Sequence, residues 1–362
     1  MKRQALTIAL ALIALAITAH NAFGKTTADE WIQKGKEYYD KADYANAITA
    51  CSEAIKRDSS NIYAYWLRGV SYLQIKNYNA AIADYNVVIK DSPDFSDAYR
   101  MRSTAYYYIK NYDAAIADNN MIIKIKPNSS DGYILRGDAY GAKGIYHKAV
   151  EDFKTSLEKG YDPSRYSVDK SSKSDMWFCG AMYMEILVNR FLGKSDVVAK
   201  YENWLKTVSD KNKVTRQEIE AFYRDNIRAL IAGVVDEEFK GITVPSQTVT
   251  YVKQSLANFF TTPNQANYNI LKNIYDIKYY DISRFQNQYS NELENAKIYD
   301  EMGMSKSAEA ARNLVRSLQN ILTPYRRTLN VPNNEYIDWD EFGQAYYEIL
   351  DRLNPELFRK MR

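Results

Sequence analysis

The sequence is poor in the residues that most metal sites and disulfide frameworks need. Among 362 residues there are two cysteines, Cys51 and Cys179, and two histidines, His20 and His147. The cysteines lack C-x-x-C spacing and lie far apart in the sequence, so neither a zinc site nor a disulfide framework is indicated. We therefore expect both cysteines to be buried thiols, and we expect no metal and no cofactor.

Glycine and proline are also scarce, and so is net charge. There are 14 glycines and 8 prolines against 32 tyrosines, which is typical of a helical chain packed through aromatic residues rather than of a loop-rich β-sandwich. The formal net charge is +3. It falls to about +1 without Lys2 and Arg3, which is too little to support nucleic acid as a partner.

The first 24 residues have the pattern of a secretory signal. Lys2 and Arg3 precede an uncharged apolar run over 5–19, and segment 22–24 places small residues at both positions that a signal peptidase reads. A retained membrane anchor is the alternative, but the run has about 15 residues where a transmembrane helix needs about 20. Because no second long apolar run follows, we expect an exported bacterial protein, periplasmic or extracellular, without a transmembrane segment in the mature chain.

A period of 34 residues organises the chain after this segment. Gly35, Gly69 and Gly137 lie on the period, and Ser103 occupies the position between the last two. A fixed period of this length is typical of repeat proteins. The period defines four units, at 28–61, 62–95, 96–129 and 130–163.

Each unit presents the same residue types in the same order. An aromatic residue opens a first helix and a tyrosine follows seven residues later, so both share one helix face with the glycine or serine. A turn tyrosine then precedes a second helix, whose alanine lets the two helices approach closely. In order, these positions are Trp31, Tyr65, Tyr99 and Tyr133; Tyr38, Tyr72, Tyr106 and Tyr140; Tyr44, Tyr78, Tyr112 and Tyr146; and Ala47, Ala81, Ala115 and Ala149.

This pattern resembles the tetratricopeptide repeat family over residues 28–163. The resemblance implies an all-α fold in which antiparallel helix pairs stack into a right-handed superhelix, with a concave groove that binds peptides or proteins. Two units depart from the pattern, because the second-helix aromatic residue is Cys51 in the first unit and Asn119 in the third. We expect looser packing at these positions rather than a different fold.

Arginine and aspartate recur together in units two to four. The first unit has Lys34 and Ala50 at the corresponding positions, so the two residue types appear and disappear as a set. We predict a structural salt-bridge ladder within or between units, and the alternative is an arginine row that binds an acidic ligand. The ladder residues are Arg68, Arg102, Arg136, Asp84, Asp118 and Asp152.

The first helices carry a second stripe of residues that pairing within the hairpin does not use. In the middle two units this stripe is apolar and aromatic, which is typical of a binding surface. We predict a partner-binding groove; alternatively, the C-terminal region folds onto the stripe or its aromatic residues are core. The groove residues are Ile32, Tyr39, Tyr63, Trp66, Leu73, Arg100, Tyr107 and Ile134.

A chaperone-type carboxylate clamp is not implied. Some family members bind chaperone C-terminal carboxylates through lysine, asparagine and arginine. Here Ile32 and Lys36 stand where the first lysine and asparagine of that clamp would be. The sequence therefore leaves the identity of the partner open.

From 164 to 362 the period is lost, although the apolar spacing remains helical. Thr215 and Glu218 form a capping-box pattern before one helix. Further helices are predicted over 177–191, 249–260, 265–286, 305–322 and 338–353. Breaks are predicted at Gly233, Gly241, Pro245, Pro263, Pro324 and Pro332.

Part of this helical C-terminal domain keeps the spacing of a decayed repeat. The order of the repeats, a small residue on the period followed by a tyrosine, a turn glycine and an alanine, recurs at Ala296, Tyr299, Gly303 and Ala308. Atypical units of this kind often cap a solenoid. We interpret 164–362 as a capping or packing domain, and the alternative is an independent ligand-binding helical domain.

The sequence contains no recognisable catalytic motif. The run 193–195 resembles the end of a phosphate-binding loop, but Val188 replaces the required first glycine. We therefore predict a non-catalytic scaffold that binds a peptide or protein in the groove. The alternatives are a soluble helical carrier of a small apolar ligand, held between the repeats and the C-terminal helices, and a self-assembling envelope component.

Overall fold

The computed structural model describes residues 27–277, 279–331 and 337–362, and over these residues the protein is all-α, with seventeen helices and no strand. The predicted signal segment 1–24 and Pro332 lie outside the described residues. The chain divides into two compact units after Ala139, inside the fourth predicted repeat. Among the described helices, none is long and apolar enough to cross a membrane.

The first unit is built from consecutive helix hairpins. The helices of the first three hairpins pack in chain order, and the first helices of neighbouring hairpins among these three also contact one another. The first helices therefore line one face of a helical repeat superhelix. The helices are α1 Ala28–Asp40, α2 Tyr44–Arg57, α3 Ile62–Gln74, α4 Tyr78–Asp91, α5 Ser96–Tyr108 and α6 Tyr112–Ile125, followed by α7 Asp131–Lys143, in which the division falls.

The turn inside each of these hairpins has the same backbone. One residue adopts left-handed φ, and the next residue caps the second helix by accepting a hydrogen bond from an N–H three residues further on. The left-handed residues are Ala42, Lys76 and Lys110, with φ of 58°, 61° and 62°. The caps are Asp43, Asn77 and Asn111. The 34-residue period thus sets the turns as well as the helices.

Within a hairpin, the two helices approach across a glycine. A Cβ added to Gly69 would lie 2.9 Å from Cε1 and 3.0 Å from Cζ of Tyr85. At Gly35 it would lie 2.9 Å from Sγ of Cys51. The ring of Tyr85 is fully buried, so glycine at position 69 is required for the ring to rest against α3.

In the third hairpin, the contact between the two helices at the corresponding position is different. Ser103 replaces glycine and is 2% exposed, and its hydroxyl donates to the carbonyl of Ala115 at 3.4 Å. Asn119 is fully buried, and its Oδ1 and Nδ2 have no hydrogen-bond partner among the described residues. Asn119 leaves two buried polar atoms unpaired where Tyr85 leaves one, and its amide buries less apolar surface than a ring, so Asn119 stabilises its hairpin less than Tyr85 stabilises the second.

Replacing Gly69 by alanine tests this close approach. We expect Gly69→Ala to lower the free energy of unfolding by about 1 to 2 kcal/mol, because the methyl group presses on a buried ring and overpacking outweighs the helix propensity of alanine. Ser103→Ala is the matched control, since it adds no atom, and should cost less than about 1 kcal/mol. Urea unfolding followed by circular dichroism measures both values. A smaller loss for Gly69→Ala than for the control would contradict the assignment.

The second unit is a helical domain with an aromatic core, in which Trp177, Tyr223, Trp339 and Tyr346 are among the fully buried side chains. A short 3-10 helix spans Pro163–Arg165. The α-helices are α8 Tyr146–Glu158, α9 Lys173–Phe191, α10 Ser195–Asn212, α11 Arg216–Glu238, α12 Ser246–Thr261, α13 Gln265–Tyr275, α14 Tyr279–Glu301, α15 Ser305–Thr328, α16 Trp339–Leu353 and α17 Pro355–Met361.

Three predictions about helix breaks are wrong. Gly233 lies inside α11, and a Cβ there would be 2.6 Å from Nδ1 of His147, so this glycine allows a close approach rather than ending the helix. Pro324 lies inside α15, which continues because Leu322 and Arg326 on either side are buried. The helix predicted over 265–286 is divided, with α13 ending at Tyr275 and α14 beginning at Tyr279.

The segment with decayed-repeat spacing forms two packed helices, α14 and α15. Gly303 in the turn between them has φ of 70°, a conformation that favours glycine. Ala296 and Ala308 are buried. The small residues of the pattern therefore lie in packed positions, as they do in the first unit.

A polar network joins three helices of the second unit around His147. Nε2 of His147 lies 2.9 Å from Oε2 of Glu237, and Nζ of Lys148 lies 2.6 Å from Oε1 of the same carboxylate. Arg352 of α16 donates to Glu237 at 3.2 Å and also to Glu238. Burial lowers the pKa of His147 despite the opposing effect of Glu237. Burial raises the pKa of Glu237, but hydrogen bonds from Lys148 and His147 together with the charges of Arg352 and Lys148 outweigh it and bring the pKa to about 2.

The lowered pKa of His147 predicts a loss of stability on mild acidification. The unfolded chain binds the imidazole proton more readily than the folded chain, so the free energy of unfolding should fall as the pH drops from 7 through the ordinary histidine pKa of 6.5. His147→Gln should remove this part of the pH dependence. The titration of Glu237 does not affect this comparison, because the stability that its lowered pKa contributes is lost only below its ordinary pKa of 4.5. Urea unfolding between pH 5 and 7 tests the difference, and equal slopes for both proteins would contradict it.

Candidate functional site

The predicted groove residues of the first unit lie on α1, α3 and α5 at matching positions. One position holds Ile32, Trp66 and Arg100, and another holds Tyr39, Leu73 and Tyr107, each 34 residues apart. Because α1 contacts α3 and α3 contacts α5, these side chains share one face of the repeats. We refer to Tyr39, Tyr63, Trp66, Leu73 and Tyr107 as the aromatic face.

The aromatic face remains partly accessible in the described structure. Tyr63 is 44% exposed, and the other four side chains are half-buried. Ile32 is also half-buried. Ile134 is only 5% exposed, so its assignment to the groove is corrected: it is a core side chain and adds no accessible surface.

The aromatic face rests on a small buried cluster. Tyr39, Trp66 and Leu73 pack against the cluster of Val70, Ala81 and Tyr85. Tyr63 stacks on Trp66 with 5.7 Å between ring centroids and 21° between planes. Large rings that already pack against buried side chains lose little conformational entropy when a ligand covers them, and this favours binding.

The rings at the ends of the face are held by edge contacts that recur with the period. Tyr39 meets Tyr44 at 5.5 Å, and Tyr107 meets Tyr112 at 5.6 Å, with interplanar angles of 62° and 63°. In both pairs, a first-helix tyrosine touches the turn tyrosine of its own hairpin. The turn tyrosines therefore help to orient the face.

Tyr85 lies beneath this site and supports it, and the sequence analysis did not name it. It occupies the second-helix aromatic position of the second repeat, and its ring is fully buried. Its hydroxyl, however, has no hydrogen-bond partner among the described residues, and neither does Nε1 of Trp66. Burial raises the pKa of Tyr85, an effect that Tyr39 reinforces and Arg100 opposes. The sequence signal for this hydroxyl is that position 85 holds tyrosine, although phenylalanine would fill nearly the same volume.

Arg100 is the cation of this face. Its Nε donates to Oδ1 of Asp97 at 3.2 Å, and its side chain is 38% exposed. Its two terminal nitrogens make no hydrogen bond within the described part of the chain. They are therefore open to an acceptor that approaches along the face.

The predicted Arg68–Asp84 pair forms as a two-point contact. Nε and Nη2 of Arg68 donate to Oδ2 and Oδ1 of Asp84 at 2.9 and 2.7 Å. The remaining Nη1 donates to the hydroxyl of Ser52 in the preceding hairpin at 3.1 Å. The guanidinium thus links two hairpins.

The next hairpin repeats this arrangement. Arg102 donates to the two oxygens of Asp118 at 2.9 and 2.6 Å and to Asn86 of the preceding hairpin at 2.6 Å. Arg136 donates to Asn120 at 2.6 Å, while its predicted partner Asp152 belongs to the other unit. Arg68 and Arg102 are consumed by structural contacts, which argues against an arginine row for an acidic ligand.

Cys51 and Cys179 are buried and form no disulfide, as the sequence analysis expected. Burial raises the pKa of each thiol to about 12. Both therefore stay protonated at neutral pH, and a thiol in this state is a poor nucleophile.

The described part of the second unit includes two surface clefts of comparable size. One, of about 580 Å³, is lined by Glu202, Lys206 and Arg216 among others. The other, of about 620 Å³, has Asp281 and Asp340 at its wall. Both clefts are open to solvent, whereas sites for small apolar ligands are mostly enclosed. The carrier hypothesis places its ligand between the repeats and the C-terminal helices, and it stays a prediction.

Comparison with known proteins places the repeats in a family. Residues 32–94 and 77–130 match the sequence profile of the tetratricopeptide repeat family, so this part of the chain consists of such repeats. The profile match covers less than half of the chain, and the second unit lies outside it. No curated protein matches the sequence significantly.

Several solved structures are similar over parts of the chain. MamA from Desulfovibrio magneticus RS-1 is 14% identical over 52% of this chain and 97% of its own, with a TM-score of 0.39. The first such repeat domain of Spaghetti (RPAP3), bound to an HSP90 peptide, is 20% identical over 33% and 94%, with a TM-score of 0.32. The TPR2B domain of yeast Sti1 in its pHsp70 complex is 30% identical over 34% and 94%, with a TM-score of 0.28.

Proposed function

We propose that this protein is exported and acts as a non-catalytic scaffold that binds a peptide or protein segment along the aromatic face. The observation that carries the proposal is that the face stays accessible after the hairpins have packed against one another. Tyr63 is 44% exposed although its own hairpin is complete. Apolar aromatic surface of this kind is costly to leave in water unless a partner covers it.

The geometry favours an extended ligand. The face runs across three successive first helices, and each contributes at least one large side chain. A peptide that crosses these helices can place successive side chains against successive rings. A compact small molecule would touch only one or two of them.

Charge supports a peptide partner over nucleic acid. The whole chain has a formal net charge of +3, and the arginines of the repeats are paired with aspartates in the second and third hairpins. A nucleic-acid surface needs a stripe of unpaired cations. Arg100 alone does not provide one.

Removing two rings of the face tests the proposal. We expect the double variant Tyr63→Ala and Tyr107→Ala to lose at least about tenfold in affinity, because truncated central aromatic residues typically cost more than about 1 kcal/mol each. The probe is an array of random dodecapeptides with acetylated and amidated ends, and the peptides that bind the unchanged protein are then measured individually.

Tyr38→Ala is the matched control, since Tyr38 is a tyrosine of the same repeats that is 37% exposed but does not belong to the aromatic face. It should leave peptide binding unchanged. Circular dichroism should show intact helices in both proteins. If no peptide binds the unchanged protein, or if the double variant binds as well as the control, the proposed function is wrong.

Export makes a separate prediction about the native chain. We expect the protein isolated from its cell envelope or medium to begin at Lys25, because residues 22–24 fit a signal-peptidase site. Intact mass spectrometry of the native protein measures this directly. A native chain that retains residues 1–24 and sediments with membranes would favour the anchor instead.

A further inference from the structure

The hairpin of α14 and α15 packs through one narrow stripe of each helix. On α15, the buried residues lie alternately three and four positions apart, which is typical of a coiled-coil seam. They are Ala308, Ala311, Val315, Leu318 and Leu322. Ile282 and Ala296 of α14 are buried as well, and the two helices pack against each other. Each helix therefore keeps a flank on either side of the seam that this pairing does not cover.

The hairpin is fixed to α16 near its base. The side-chain carbonyl of Gln286 accepts a hydrogen bond from Arg326 of α15 at 3.0 Å and another from Nε1 of Trp339 at 2.7 Å. At about 1.5 Å per residue, α14 continues about 22 Å beyond Gln286 before it ends. Large apolar side chains along this length remain accessible, with exposed fractions of 42% for Ile298, 66% for Met302, 37% for Leu314 and 40% for Ile321.

An ion pair identifies which flanks of the two helices lie on the same side of the hairpin. Nη1 of Arg312 on α15 lies 2.6 Å from Oδ2 of Asp300 on α14. Leu293 precedes Asp300 by seven residues, or about two helical turns, and therefore shares its flank. Gln319 follows Arg312 by the same distance and also lies on this side. We call this side the charged flank.

The opposite side of the hairpin has no charged residue from Gln288 to Ile321. The positions on this side again alternate by three and four residues along each helix, and the charged residues of the same stretch occupy the other positions. We call this side the uncharged flank. Its members are Gln288, Asn291, Asn295, Ile298, Met302, Ser307, Ala310, Leu314, Ser317 and Ile321.

An uncharged surface is suited to pairing with a copy of itself. Around a two-fold axis, the same surface patch of both copies meets, so a charge close to the axis would face its own duplicate at a cost in free energy. The uncharged flank has no such charge. The small side chains of Ala310 and Ser317 alternate with Leu314 and Ile321, so a facing helix can place its own large side chains in the gaps.

A lipid surface fits this flank less well than a second copy. Helices that lie on membranes usually carry lysine or arginine on one face and tryptophan, phenylalanine or leucine on the other. The uncharged flank contains no cation and no aromatic residue. Its amides and hydroxyls would also have to find hydrogen-bond partners, which the same groups of a second copy can supply.

The area of the flank is sufficient for a weak, reversible dimer. Its length along α15 is about 25 Å, and two neighbouring helices are together about 20 Å wide. Each copy could thus bury about 500 Å², or about 1,000 Å² in total, which is close to the lower limit for a specific interface. The dimer should therefore depend on protein concentration.

We propose that two copies of this chain associate through the uncharged flanks of their α14–α15 hairpins and form a four-helix bundle with two-fold symmetry. Leu314 and Ile321 supply apolar contacts on α15, and Ile298 and Met302 supply them on α14. This inference concerns the second unit and does not depend on peptide binding by the aromatic face.

Two lysines on the uncharged flank test the interface. Sedimentation velocity at increasing concentration should show the unchanged protein passing from monomer to dimer. The double variant Leu314→Lys with Ile321→Lys should raise the dissociation constant of the dimer at least about a hundredfold, because like charges then meet across the axis. Leu293→Lys with Gln319→Lys is the matched control, since it adds the same charge on the charged flank. It should dimerise as the unchanged protein does.

Mixing oppositely charged variants tests whether the partner is a second copy. Leu314→Glu with Ile321→Glu should also be monomeric alone. Mixed with the double lysine variant, it should form a one-to-one heterodimer, because opposite charges then face each other. Circular dichroism should show intact helices in every variant, since both replaced side chains are exposed.

Three results would overturn the inference. They are a protein that stays monomeric at every concentration, equal dimerisation by the lysine variant and its control, and a mixture of folded variants that does not associate. A monomer that binds phosphatidylcholine vesicles, and loses this binding in the lysine variant, would assign the flank to lipid instead. Tyr63→Ala with Tyr107→Ala should dimerise normally, so failure of peptide binding and failure of dimerisation are distinguishable.

Discussion

Close contact between the two helices of each hairpin is the constraint on which the first unit depends. Gly69 permits the contact by having no side chain, and Tyr85 uses the space by laying its ring there. Once these faces are buried, each first helix has one lateral stripe left over. Because the next first helix lies beside it, the leftover stripes join into a continuous surface rather than remaining separate patches. The same packing that stabilises the repeats therefore produces the site.

The arginine ladder determines which charges the site can use. Arg68 lies 16 residues after Ser52 and 16 residues before Asp84, and it bonds both. This equal spacing lets one guanidinium join its own hairpin to the preceding one, so the ladder stabilises both pairing and stacking. The nitrogens of the Arg68 guanidinium are all used in these hydrogen bonds. Arg100 is outside the ladder, and its two terminal nitrogens make no hydrogen bond within the described residues.

Much of the first unit could be predicted from the sequence, because a fixed period repeats every structural requirement at known positions. The period located the hairpins and the arginine–aspartate pairs. It could not show that the hydroxyl of Tyr85 lacks a partner, since that depends on how neighbouring hairpins meet. Ile134 was misplaced for a related reason, because a position on the stripe does not by itself ensure accessibility. In the second unit no period exists, and packing at Gly233 and Pro324 overrides the local preferences from which breaks were inferred.

Asn119 affects how strongly neighbouring repeats stabilise one another. Each repeat in such an array is stabilised mainly by its immediate neighbours, so cohesion is passed along the array from hairpin to hairpin. Asn119 weakens this cohesion, because both polar atoms of its amide are buried and unpaired among the described residues, whereas the second hairpin has the larger ring of Tyr85 with one such atom. Opening fluctuations should therefore begin at the third hairpin. Because Tyr107 of the aromatic face belongs to this hairpin, we expect the Tyr107 end of the face to be more flexible than the end around Trp66.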